Sequence, residues 1–232
     1  MTSSPGFSPA AFTWLDQLAA DNSRAFFDAS RTTYDTEVRA PFAALLTEAA
    51  RENDGTARVF RQLRDLRFER NRERPYWESI AGEIIVAGAT GALGVEFATD
   101  GLRAWAGQRR PFSADQLARY RAAIDEDAGA ELEDIAAHLH DEGCVLGGTR
   151  LRTVPRGFPR DHRHAVLLRH DALWACSILA PQRVRRRGIT ERRTVRADIA
   201  QAFLAIAWEQ MQPLRTWLDD HVGAPADASV PA

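Results

Sequence analysis

Lysine is absent from this chain: all 30 basic residues among its 232 are arginine. The substitution leaves net charge unaffected, and GC-rich coding explains it as readily as a selected role. It does change the chemistry, because a guanidinium is planar, permanently charged and costly to bury without a fixed partner. Cysteine is scarce too: Cys144 and Cys176 cannot make a disulfide framework. No apolar run approaches the length of a membrane span. The first residues lack a basic start followed by an apolar run and a cleavage site, so no signal peptide is expected and a cytoplasmic protein is the default. A net charge of −2 excludes a chain that is basic throughout. Neither a Gly-x-Ser-x-Gly elbow nor a P-loop occurs.

What is present is an ordinary globular composition, 45% hydrophobic and 27% charged. The expectation is one α+β domain over residues 1–222 and a disordered tail over 223–232. The charges are clustered. Residues 58–74 hold seven arginines against three acids, residues 183–196 hold seven against one, and residues 115–142 hold nine acids against two arginines. Such blocks steer charged ligands or neutralise one another across the fold.

Local signals order the elements. Ser8-Pro9 is a helix start, an N-cap hydroxyl before proline. A second helix carries Phe26 and Phe27, and a third runs from about Asp35 with Val38, Phe42, Leu45, Leu46 and Ala49 on one face. Pro41 falls in its first turns, where it is tolerated or kinks the helix. Residues 58–107 read as an antiparallel sheet, with Thr99-Asp100-Gly101 as a hairpin turn. Ser113 and Gln116 form a capping box. Residues 173–179 read as a buried strand, and Asp161 as the cap of a short helix ending at Leu168. A final helix over about 196–221 places Ile199, Phe203, Ile206, Trp217 and Leu218 inward and bends at Pro213.

Gly88, Gly91 and Gly94 follow an apolar run as in a dinucleotide-binding turn. However, the residues after them alternate and turn again rather than opening a helix, which favours a glycine-rich hairpin connection and no cofactor. His138 and His140 share no helix face, and His162, His164 and His170 lie among arginines that repel a cation, so no metal site is expected. His162 is a turn residue or a proton handler.

The segment Val59-Phe60-Arg61-Gln62-Leu63-Arg64-Asp65-Leu66-Arg67-Phe68 mixes guanidinium with apolar bulk on both faces of an extended chain. Asp65 neutralises only part of this charge. Either an internal salt-bridge network or an anionic ligand completes it.

These pieces also carry a resemblance. Phe12 to Asn22 with Phe26-Phe27 and Tyr34, then Phe60-Arg61-x-x-Arg64-Asp65-x-Arg67-Phe68, Pro75-Tyr76, Pro155-Arg156-Gly157-Phe158 and Asp161-His162, resemble in order and spacing the bacterial and fungal proteins grouped as domain-of-unknown-function family 2461. The resemblance covers about residues 10–221 and implies an α+β fold; it implies no activity. The chain departs from the family's pattern where Arg72, Arg74 and Trp77 surround the Pro-Tyr step in place of lysines. It departs again where Ala104-Trp105-Ala106-Gly107 replaces a run of glycines.

The favoured expectation is an arginine-lined cleft for an anionic or phosphate-bearing small molecule. Arg61, Arg64 and Arg67 supply charge, Asp65 orients them, Tyr76 provides a wall, and Arg156 and His162 close the site. His162 or Asp65 would handle any proton. The alternatives are nucleic-acid binding through 58–74 and 183–196, and a non-catalytic protein-interaction module using the acidic helices or the C-terminal helix.

Overall fold

The computed structural model describes residues 6–65, 74–184 and 192–224. Arg67, part of the second arginine run and the tail from residue 225 lie outside them. In chain order the elements are α1 (Pro9–Ala20), α2 (Arg24–Ala29), α3 (Arg31–Thr33), a π-helical turn (Tyr34–Arg39), α4 (Ala40–Glu52), β1 (Gly55–Val59), β2 (Ile80–Val86), β3 (Ala92–Ala98) and β4 (Gly101–Gln108). There follow α5 (Ala114–Asp125), α6 (Ala128–Asp141), β5 (Val145–Gly147), α7 (Ala165–Leu168), β6 (Leu173–Leu179), β7 (Gln182–Val184), β8 (Arg192–Thr194), α8 (Ala197–Gln210) and α9 (Gln212–His221). The strands form a six-stranded sheet of order β1-β2-β3-β4-β6-β5 and a β7–β8 pair. The fold is α+β, with helices at both ends of the chain and an antiparallel sheet.

The chain divides into two compact units, Met1–Ile84 with Gly94–Ala104 and Ile178–Ala205, and Ile85–Leu93 with Trp105–Ser177 and Ile206–Ala232. In the first unit, Ser8 caps α1 by accepting from the Ala11 N–H, and Pro9 occupies the first turn. Phe97 of β3 is the centre of an aromatic cluster, stacked on Phe7 at 3.8 Å and met edge-on by Phe12 at 4.9 Å. The α4 stripe Val38, Phe42, Leu45, Leu46 and Ala49 is buried as its spacing predicts. Helix α4 approaches β2 closely at Gly82, where a Cβ would stand 2.6 Å from Leu46 Cδ2. The Thr99-Asp100 turn joins β3 to β4, and Gly101 follows with φ of +136°. A Cβ at Gly101 would strike the Leu179 carbonyl at 2.1 Å, so the hairpin requires glycine there.

Pro41 does not start or break the third helix; the chain runs helically from Arg31 to Glu52. The turn immediately before the proline widens to π geometry, and Ala40 N–H bonds to Asp35 five residues back. A widened turn relieves the clash that a proline ring makes with the carbonyl four residues before it.

In the second unit, the Ser113–Gln116 capping box is formed in both directions. The buried Tyr120 hydroxyl donates to the Leu167 carbonyl at 2.9 Å, and Trp217 Nε1 donates to the Ala128 carbonyl at 3.0 Å. Gly88 and Gly91, both at positive φ, join β2 to β3 directly, so this glycine-rich segment is a strand-to-strand connection.

Two sequence expectations are corrected. The short helix starts at Ala165 and is preceded by a turn in which Asp161 caps nothing. The His162 ring closes that turn by accepting the His164 backbone N–H at 3.0 Å. In α8 the inward face is Ala200, Leu204, Ala207 and Trp208, while Ile199 and Ile206 are 37% and 56% exposed. The helix is apolar nearly all round, so periodicity could not select its buried face. The break before α9 does come at Met211, two residues ahead of Pro213.

Candidate functional site

The segment after β1 continues beside the chain of residues 75–81 with an irregular register. Phe60 N–H donates to the Ala81 carbonyl at 2.8 Å, yet Leu63 pairs with Tyr76 in an antiparallel bridge. Three steps on one side therefore face five on the other. The buried Gln62 amide fills the slip, with Nε2 donating to the Ser79 carbonyl at 3.1 Å and also to that of Trp77. Its Oε1 accepts from the Tyr34 hydroxyl at 3.3 Å. Asn22 fastens the opposite side, donating to the Tyr76 carbonyl at 3.1 Å and accepting from its N–H at 2.9 Å.

These contacts fix one wall of a cleft of about 930 Å³. Its apolar floor includes Phe27 and Tyr76, whose rings stack at 4.2 Å and 6°. Tyr34 lies 5.1 Å from Phe27. Burial raises the pKa of both tyrosines, so both hydroxyls stay protonated at neutral pH.

The rim is charged: Arg24, Arg31, Arg39 and Arg61 face Asp28 and Asp35. Arg24 and Asp28 approach at 3.4 Å, and Arg31 and Asp35 at 3.7 Å, each one helical turn apart. Exposed pairs of this kind contribute only about 0.3–0.5 kcal/mol. Arg39 and Arg61 form no ion pair among the described residues. The π-helical turn is what brings Tyr34, Asp35 and Arg39 together onto the cleft.

The expected site residues separate. Arg61 and Tyr76 line the cleft. Arg64 lies over the Trp77 ring at 4.6 Å. Arg74 donates to the Ala19 carbonyl at 2.6 Å and to Glu78 at 2.8 Å, which latches the strand to the end of α1. Asp65 is exposed. Arg156 and His162 belong to the second unit, where Arg156 is exposed. His162 Nε2 faces Asp125 Oδ1 at 3.0 Å, and its Nδ1 takes the His164 N–H. Both ring nitrogens are engaged, with the proton of the neutral ring on Nε2.

Sequence reasoning missed Arg24, Arg31 and Arg39. Their signal was present: 31, 35 and 39 recur at helical spacing beside Phe27 and Tyr34. Elsewhere in the first unit, Arg193 donates to the Thr99 carbonyl at 2.7 Å, bonds Asp16 and covers the Phe12 ring at 5.0 Å. That member of the second arginine run is a structural clamp. No helix among the described residues is long and apolar enough to cross a membrane.

No curated protein matches the chain. Residues 10–217 match the family described as conserved hypothetical protein (DUF2461), and the chain belongs to that family.

Proposed function

We propose that the first-unit cleft binds an anionic or phosphate-bearing small molecule, held by Arg39 and Arg61 above the Phe27–Tyr76 floor. The observation that carries this reading is the pair of lining guanidiniums with no acid partner among the described residues. Arginine forks match carboxylate and phosphate oxygens bidentately. The cleft volume also falls in the range of about 300–1,000 Å³ usual for small-molecule sites.

The second arginine patch receives less support as a nucleic-acid surface, because Arg193 is spent within the fold and Arg196 is bonded to Asp198 at 2.7 Å. A thermal-shift screen with pyrophosphate, citrate and phosphorylated sugars tests the anion reading. Stabilisation of the wild type that Arg61→Ala removes supports it, since a ligand selective for the native state raises the unfolding temperature. Arg61 is exposed, so its truncation leaves the core intact. Equal shifts in wild type and variant refute the reading.

A further inference from the structure

Among the described residues, the cleft borders a sheet edge that no further strand fills. β1 has β2 as its strand neighbour and ends the sheet order. Beyond β1, Phe60, Gln62 and Arg64 direct backbone groups towards residues 75–81: Phe60 N–H to Ala81, Gln62 C=O to Trp77 and Arg64 N–H to Pro75. Arg61 and Leu63 alternate with them. Leu63 and Tyr76 form a non-hydrogen-bonded antiparallel pair, so the N–H and C=O of each point away from the other.

On the Tyr76 side those outward groups are satisfied by Asn22, which stands in for a neighbouring strand. On the Leu63 side no such substitute is present among the described residues. Among the described residues no hydrogen bond engages the backbone of Arg61 or Leu63. Leu63 is 59% exposed, and both residues line the cleft. Unpaired main-chain donors and acceptors at a two-residue repeat are matched by another extended main chain. The flanking Arg39 and Arg61 carry the charge complementary to acidic side chains on such a chain.

We infer that the cleft ligand is an extended acidic peptide segment that adds a strand along residues 61–63. Main-chain pairing supplies the register, Arg39 and Arg61 receive its carboxylates, and Leu63 offers an apolar contact between them. This rests on the anion-binding reading and narrows the ligand to one whose backbone takes part.

The test is fluorescence anisotropy on the full chain with a labelled, acetylated hexapeptide pool. The pool has glutamate at alternate positions and a mixture of Val, Ile, Leu and Phe between. Two further pools are N-methylated at odd or at even positions, a fourth has arginine in place of glutamate, and pyrophosphate is titrated in parallel. The inference expects binding of the acidic pool, none of the arginine pool, and loss on Arg61→Glu. It also expects one N-methylation pattern to weaken binding by about tenfold, as removal of one or two main-chain hydrogen bonds would, and the other to leave it unchanged. If pyrophosphate binds but the acidic pool does not, or if neither methylation pattern weakens binding, strand addition is overturned and the anion cleft survives. If neither pyrophosphate nor the acidic pool binds, both readings fall.

Discussion

The side-chain amide of Asn22 holds both backbone polar groups of Tyr76, donating to its carbonyl at 3.1 Å and accepting from its N–H at 2.9 Å. Both residues are buried, at 6% and 7% exposure. Asn22 follows α1 and Tyr76 stands 54 residues later, so this one amide ties the helical N-terminus to the wall of the cleft.

Truncating that amide leaves a buried donor and a buried acceptor without partners. Each such loss costs about 1–3 kcal/mol. Asn22→Ala is therefore expected to lower unfolding stability by about 2–4 kcal/mol, read from the urea midpoint at unchanged slope. A loss below about 0.5 kcal/mol would show that water replaces the amide freely.

Gln62 presents the same logic in the register slip. Gln62→Leu keeps the bulk but removes the donor to Trp77 and Ser79 and the acceptor for Tyr34. The expected cost is about 1–3 kcal/mol. Because the slip shapes the cleft wall, the variant is also expected to weaken any anion-dependent thermal shift; an unchanged shift would separate the slip from binding.

The three tyrosines predict an alkaline limit. Burial raises the pKa of Tyr34, Tyr76 and Tyr120 above the usual value near 10. In each case the folded state holds the phenol proton more tightly than the unfolded state does. Their contribution is fully present below about pH 10 and is lost as pH rises past it towards the folded values. Absorbance titration at alkaline pH is expected to show less tyrosinate near pH 10 in the folded than in the unfolded protein, with a rise on unfolding. Equal tyrosinate in the folded and the urea-unfolded protein at about pH 10 would contradict their burial.

Much of the fold was legible because its signals are local. The Ser8 and Ser113 caps, the α4 stripe, the Asp100-Gly101 hairpin and the apolar β6 run each depend on residues a few positions apart. The inward face of α8 was not legible, since a helix apolar on nearly every side carries no phase. For the cleft, sequence reasoning found Arg61 and Tyr76 by their density of charge and aromatic character. It grouped Arg64 with them, although that guanidinium covers the Trp77 ring. It missed Arg39 although 31, 35 and 39 recur at helical spacing, because local spacing does not say which distant segment that face meets; the fold brings it to residues 59–63.

We propose that Arg39 and Arg61 hold an anion jointly. Calorimetric titration of pyrophosphate into the wild type, Arg39→Ala, Arg61→Ala and the double variant, at low and high salt, tests it most directly. Saturable binding is expected, weakened by each single change, abolished by the double change and reduced by salt. Binding that persists in the double variant, or no binding to the wild type at low salt, would contradict it.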